Sequence, residues 1–131
     1  MSKPVDLECF NRLTDGDADF ANDLATTFAA SGNQQLVDIG KALESADRGA
    51  LARAAHKLKG ASANIYAQAL TELAARLESA APGADLVQLS QVSEALRQEF
   101  NRTNEFLADS LPGMAAAARL HPPPGRSPPR N

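Results

Sequence analysis

Residues 51–65 read "LARAAHKLKGASANI", a run of mostly helix-forming residues around one histidine. Leu51, Leu58 and Ile65 are spaced seven residues apart. At about 100° per residue, this spacing places all three along one side of a helix. These three residues are predicted to form the apolar stripe by which the helix packs against a core. A single apolar stripe must be covered by other elements, so the stretch predicts a helical protein packed around this segment.

The composition of the whole chain supports an all-α fold. Of its 131 residues, 44% are apolar and only 5% are aromatic, and the apolar residues are mainly Ala and Leu. These two residue types form helices readily, whereas β-branched and aromatic residues favour strands. The net charge of -3 argues against general binding of nucleic acid. A single cysteine, Cys9, excludes an internal disulfide and suits a reducing cytosol.

Five helical segments are predicted from apolar spacing, caps and turns, at 4–13, 17–45, 48–65, 67–80 and 85–110. Pro4 suits the first turn of the first segment, and Asp47 suits the cap of the third. Ser31-Gly32-Asn33 interrupts the second segment and is a place for it to bend. The expected apolar stripes include Leu13, Phe20 and Leu86.

Short connections between these segments favour antiparallel neighbours, which predicts an up-down four-helix bundle with an additional short N-terminal helix. The bundle domain is expected to span residues 1–112. The last eleven residues, "HPPPGRSPPRN", contain five prolines and no apolar face. Residues 113–131 are therefore predicted to form a flexible Pro-rich tail. No apolar run approaches the roughly 20 residues that cross a bilayer, and the N-terminus has no apolar signal core.

His56 is predicted to point away from the core. It lies about 140° to 180° around the helix from the residues of the stripe. Small residues and cations share its face, namely Gly49, Ala52, Arg53, Lys59, Gly60 and Ala63. This set is called the platform below. Small side chains allow another surface to approach the ring closely.

The charge around His56 indicates an anionic group. Four Lys or Arg residues lie between Asp47 and Ala63, where Asp47 is the one acid. A neutral imidazole is a competent nucleophile, and lysine ammonium groups bind phosphate as point charges. The residues therefore favour a histidine that receives a phosphoryl group from another protein.

The stretch "AHKLKGASANI" (55–65) resembles the phosphoacceptor motif of histidine-containing phosphotransfer (HPt) domains, which are helical bundles of multistep two-component phosphorelays. The likeness extends from about residue 15 to residue 110. "DADFANDLATTF" (17–28) resembles the helix before the core hairpin, and "ALTELAARLE" (69–78) resembles the partner helix of that hairpin. One position departs from the motif, because Tyr66 stands where many members have glycine.

The resemblance implies roles for individual residues. His56 would be phosphorylated, Lys59 would stabilise the phosphoryl group, and Lys57 would be a weaker candidate for the same role. Gly60 would leave room for the incoming receiver domain. Glu78 would accept a hydrogen bond from one ring nitrogen of His56 and leave the other as the nucleophile. The partner-binding surface would comprise Ala52, Arg53, Lys57, Gly60 and Ala63.

The function implied is the relay of a phosphoryl group between receiver-domain aspartates, with no kinase or ATPase activity of the chain's own. The expected partners are receiver domains of response regulators and a hybrid sensor histidine kinase. No metal or cofactor is expected on this chain, since the receiver would supply Mg²⁺. The chain is expected to be a cytoplasmic monomer without membrane insertion, near a membrane only as part of a sensor kinase. The alternative is a helical adaptor that binds a signalling partner without phosphoryl transfer.

Overall fold

The computed structural model describes residues 3–111, and this part of the chain is all-α, with five helices and no strand. The helices are α1 (Leu7–Thr14), α2 (Ala18–Glu44), α3 (Arg48–Asn64), α4 (Gln68–Ala80) and α5 (Leu86–Ser110). All five segments predicted from the sequence are helices. No helix within the described residues is long and apolar enough to span a membrane. The predicted tail at 113–131, and the ends of the predicted 1–112 domain, lie outside the described residues.

Aspartate side chains begin four of the five helices. Each carboxylate accepts a hydrogen bond from a backbone N–H in the first turn, and the four caps are Asp6, Asp17, Asp47 and Asp85. Such caps satisfy N–H groups that have no partner within the helix. The cap at Asp6 explains why α1 begins at Leu7 and not at Pro4, where the sequence placed its start.

The four longer helices contact each other in a closed ring. α3 packs against α2 and α4, and α5 packs against the same two helices, while α1 packs against α2. Leu51, Leu58 and Ile65 are buried in the core, as their spacing predicts. Because α3 has a neighbour on either side, only its face opposite this stripe is left uncovered.

Gly32 does not interrupt α2, which runs as one helix from Ala18 to Glu44. A Cβ atom at Gly32 would collide with the ring of Phe100 on α5. The same ring packs against Phe28, with the two ring centroids 5.4 Å apart. The expected interruption is wrong because the absent side chain makes room for aromatic packing between two helices.

Three apolar residues of the predicted stripes are exposed instead of buried. Leu13, Phe20 and Leu86 keep 42%, 43% and 38% of their surface accessible. Each lies in the first or last turn of its helix. The spacing rule fails there because burial at a helix end depends on how far the neighbouring helix extends.

Candidate functional site

α3 directs His56 away from the core. The His56 side chain is 65% exposed, whereas its neighbours Ala55 and Leu58 are fully buried. This orientation agrees with the angle predicted from the helical repeat. The imidazole therefore stands on the outer face of the molecule, where another protein can reach it.

Glu78 holds one nitrogen of the His56 ring. It lies in the last turn of α4, and its Oε2 atom is 2.9 Å from His56 Nδ1. An ionised carboxylate only accepts hydrogen bonds, so Nδ1–H is the donor. In the neutral ring the lone pair is then on Nε2. This nitrogen makes no hydrogen bond to any residue between 3 and 111.

Lys59 shares the same carboxylate. Its Nζ atom is 2.7 Å from Glu78 Oε1, so Glu78 bridges two residues that lie one turn apart on α3. The hydrogen bond from Lys59, and after it the bond from His56, lower the pKa of Glu78 against the opposing effect of partial burial. Lys59 was expected only to stabilise an incoming phosphoryl group. Its ion pair with Glu78 was not predicted, because pairing between helices depends on their axial alignment.

The small residues of the platform differ in how open they are. Gly60 and Ala63 are exposed, whereas Ala52 is partly buried and packs against the core. A Cβ atom at Gly60 would meet nothing within 4 Å. Its backbone is ordinary helix, without the positive φ that favours glycine. Neither helix packing nor backbone conformation therefore requires glycine at this position.

Arg53 and Lys57 lie on the side of α3 that faces α2. They line a groove of about 320 Å³ between the two helices, and Lys41 of α2 lines it as well. None of these three cations forms an ion pair with a residue that the structure describes. Lys41 was not among the residues predicted to bind a partner. The short connection at 45–47 is the signal that brings the end of α2 next to the start of α3.

Arg48 holds the end of α4 in place. Its guanidinium donates hydrogen bonds of 2.9 Å and 2.6 Å to the carbonyl oxygens of Ala81 and Ala84. The last turn of α4 has no basic residue of its own, so Arg48 supplies the positive charge that suits a helix C-terminus. Glu78 lies in that last turn, and Arg48 thereby helps to fix its backbone. The sequence offered no signal for this contact, which joins residues more than thirty positions apart.

Tyr66 ends α3 in a conformation that favours glycine. It follows the C-cap Ile65 and has a φ of 62°, in the left-handed region. This φ accounts for the glycine that often stands here in the motif that the stretch resembles. The Tyr66 carbonyl also accepts a hydrogen bond from the N–H of Asp6, at 3.0 Å, which ties the start of α1 to the connection between α3 and α4.

Comparison with known proteins identifies the family. A family model described as "Hpt domain" matches residues 23–116, a range that includes His56, Lys59 and Glu78. No curated protein and no solved structure gives a significant match. Within residues 3–111 no group of three or more His, Cys, Asp or Glu side chains is arranged to hold a metal ion. Because the matched range covers most of the chain, the chain belongs to the Hpt domain family, which serves histidine phosphotransfer in phosphorelays and interacts with receiver domains.

Proposed function

We propose that this Hpt domain relays a phosphoryl group between receiver-domain aspartates through a phosphohistidine at His56. The observation that carries the proposal is the 2.9 Å contact between His56 Nδ1 and Glu78, on a histidine that is 65% exposed. An exposed imidazole that is bound through one nitrogen offers the other to a partner.

The chemistry follows from the tautomer. His56 Nε2 attacks the phosphorus of an aspartyl phosphate, and an N–P bond forms while the P–O bond to the aspartate breaks. The aspartate leaves as a carboxylate. The ring becomes cationic, with its proton still on Nδ1, and the ionised Glu78 stabilises that charge. The reverse step passes the phosphoryl group to a second receiver. Mg²⁺ would come with the receiver and would neutralise charge on the phosphoryl oxygens.

Lys59 is proposed to act on the phosphoryl group directly. Its ammonium is held by Glu78 in the unphosphorylated protein, within one helical turn of His56. Lys59→Ala is expected to slow transfer, or to shorten the lifetime of the phosphohistidine, more than Lys57→Ala does. The reason is position, since Lys59 lies about 60° around the helix from His56 and Lys57 about 100°. Rates of transfer and of dephosphorylation for the two variants test this. Equal effects would show that both lysines act only through a diffuse electrostatic field and not by contact with the phosphoryl group.

The receiver domain is proposed to dock over Ala52, Arg53, Lys57, Gly60 and Ala63. The exposure of Gly60 and Ala63 and the open space at Gly60 support this surface. Because Ala52 is partly buried, we expect its small side chain to let the receiver approach closely but to supply little of the contact area.

The proposal includes the architecture and setting of the domain. Helices α2 to α5 would form an antiparallel up-down four-helix bundle, supported by their closed ring of contacts and by the short connections at 45–47, 65–67 and 81–85. The domain would act as a monomer in the cytoplasm, with a hybrid sensor kinase as a further partner. It would have no kinase or ATPase activity of its own.

A transfer assay against phosphorylated receiver domains of the same genome tests the function. The wild-type chain should acquire an acid-labile, base-stable label from at least one receiver, and His56→Gln should acquire none. The melting midpoint of His56→Gln should stay close to that of the wild type, because changes at exposed positions usually stay within about 0.5 kcal/mol. Receivers that bind the chain without labelling it would favour the adaptor function instead.

A further inference from the structure

The groove between α2 and α3 contains cations without partners. Most other cations among the described residues do have a partner. Arg48 donates hydrogen bonds to carbonyl oxygens. The cations in ion pairs are Arg12, Lys59, Arg97 and Arg102. Lys41, Arg53 and Lys57 form no ion pair with a described residue, and all three line this one groove. Lys57 directly follows His56 in α3, so the groove adjoins the platform.

The acids of the groove have local hydrogen-bond donors. Asp47 caps α3 and accepts a hydrogen bond of 3.0 Å from the N–H of Ala50. Asp38 accepts one of 3.0 Å from the side-chain amide of Gln34. These two carboxylates are held by their own helices, and the groove carries more cations than acids. Its three cations exceed these two acids by one, so the groove presents a net positive charge to an incoming surface.

A buried amide oxygen beside the same groove lacks a hydrogen-bond partner. Gln35 lines the groove and is only 9% exposed, and its Oε1 atom has no hydrogen-bond partner. Buried polar atoms are rarely left unpaired in native proteins, since the loss is costly. The Oε1 atom itself is out of a partner's reach because it is fully buried. Gln35 can therefore meet a docking surface only through its NH₂ group, which donates hydrogen bonds to a carboxylate.

We propose that this groove, formed by Gln35, Lys41, Arg53 and Lys57, binds a carboxylate-bearing surface of the receiver domain and so selects among receivers. The inference rests on the proposed function for the identity of the partner. Arg53 can bind a carboxylate with two parallel N–H donors, and Lys41 and Lys57 act as point charges on either side. A receiver with a basic side chain at the matching position would be rejected by repulsion.

Charge reversal at Lys41 tests the groove separately from the platform, because Lys41 belongs to α2. The dissociation constant of a receiver that labels His56 is measured for Lys41→Glu and for the control Arg76→Glu. Arg76 also lacks an ion pair among the described residues, but it lines a groove between α4 and α5. Lys41→Glu should raise the dissociation constant about tenfold at low salt, with most of the effect lost at high salt. Arg76→Glu should leave it almost unchanged. Equal effects, or none, would overturn the proposal.

Gln35→Leu adds a second readout. Removing an unpaired buried amide should raise the melting midpoint, while the loss of its contact with the partner should weaken receiver binding a few-fold. A stabilised variant with unchanged affinity would remove Gln35 from the docking surface. The control is Gln98→Leu, at an exposed position of α5, which should leave receiver affinity unchanged.

A titration with a hexaglutamate peptide separates this inference from the proposed function, because it requires no phosphoryl transfer. Backbone amide signals of the ¹⁵N-labelled full chain are followed by NMR. Shifts should centre on Lys41, Arg53 and Lys57 and disappear in Lys41→Glu but not in Arg76→Glu. Shifts centred elsewhere, or absent, would overturn the groove as a carboxylate site even if His56 is labelled. Shifts at the groove in a chain that no receiver labels would support the groove and count against the phosphorelay function alone.

Discussion

At the scale of single residues, the proposed chemistry depends on how the two carboxylate oxygens of Glu78 are shared between His56 and Lys59. Glu78 uses Oε2 for His56 Nδ1 and Oε1 for Lys59 Nζ. Both contacts favour the ionised carboxylate, and together they lower its pKa, with the bond from Lys59 as the largest cause. A protonated Glu78 would hold neither partner as well, so the lowered pKa keeps His56 and Lys59 in place at pH values that protonate an ordinary glutamate.

Glu78→Gln should change how stability depends on pH. Because the pKa of Glu78 is lower in the folded state than its ordinary value of 4.5, its ionised form stabilises the fold fully above that value. This contribution is lost as pH falls through the folded-state pKa. The stability difference between the wild type and Glu78→Gln should therefore be constant near neutral pH and shrink in acid. Urea unfolding from pH 7 to pH 3 measures it.

The control for this series is Glu105→Gln, at an exposed position of α5. This variant should stay within about 0.5 kcal/mol of the wild type near neutral pH. The difference in the free energy of unfolding between wild type and Glu78→Gln could instead stay constant down to pH 3 or grow in acid. Either result would show that the Glu78 carboxylate does not stabilise the fold through its charge.

Gly60 allows stability and function to be separated. Gly60→Ala should raise the free energy of unfolding by about 0.8–1 kcal/mol, because alanine is the better helix former and its Cβ would meet nothing within 4 Å. Gly60→Gln should stabilise by almost as much, yet slow transfer, because a long side chain would stand on the platform. Gly60→Ala should impair transfer less. Thermal melts and transfer rates against one receiver test both statements.

Gly40 provides the matched control for Gly60. It lies in α2, its Cβ would also meet nothing within 4 Å, and it lines a groove between α2 and α5. Gly40→Gln should stabilise the fold and leave transfer unchanged. If Gly60→Gln transferred at the normal rate, the steric reason for glycine at position 60 would be removed. If it were destabilised, Gly60 would be a packing residue.

At the scale of the helices, the site exists because α3 and α4 are aligned so that His56 meets Glu78. Arg48 at the start of α3 binds carbonyl oxygens just after the end of α4. This contact joins the ends of the two helices that carry the histidine and the carboxylate. It therefore limits how far α4 can slide along α3.

Arg48→Met should lower the free energy of unfolding by about 1.5–3 kcal/mol, the range for hydrogen bonds that involve a charged group. Methionine keeps much of the aliphatic stem, so the change mainly removes the two hydrogen bonds. Arg53→Met is the stability control, because Arg53 is exposed and forms no ion pair with a described residue. Chemical unfolding measures both variants, and a similarly small effect in the two would mean that Arg48 does not restrain α4.

The helices could be predicted from the sequence because their signals are local. Aspartate caps and apolar spacing act within a few residues, and the outward orientation of His56 follows from the helical repeat alone. The pairing of Glu78 with His56 was expected only from the family resemblance. The role of Gly32 depends on Phe100 of another helix, and the pairing of Lys59 with Glu78 depends on the alignment of α3 with α4. Such contacts between distant residues leave no periodic signal in a single sequence.

At the scale of the whole molecule, the core and the site use opposite faces of α3. Leu51, Leu58 and Ile65 are buried, while His56, Gly60 and Ala63 are exposed. Changes on the outer face are therefore expected to alter partner binding and transfer with small effects on folding. This separation allows the proposed phosphoacceptor, His56, to be tested without unfolding the domain.

The most direct test of the central claim is to locate the phosphoryl group within the phosphorylated protein. The chain is labelled with ¹⁵N in its imidazole rings, phosphorylated by a receiver domain, and studied by long-range ¹H–¹⁵N NMR together with ³¹P NMR. We predict an N–P bond at Nε2 of His56, with the Nδ1 proton still bonded to Glu78. Phosphorylation at Nδ1, at the other histidine, His121, or in the His56→Gln variant would contradict the assignment of His56 Nε2 as the phosphoacceptor.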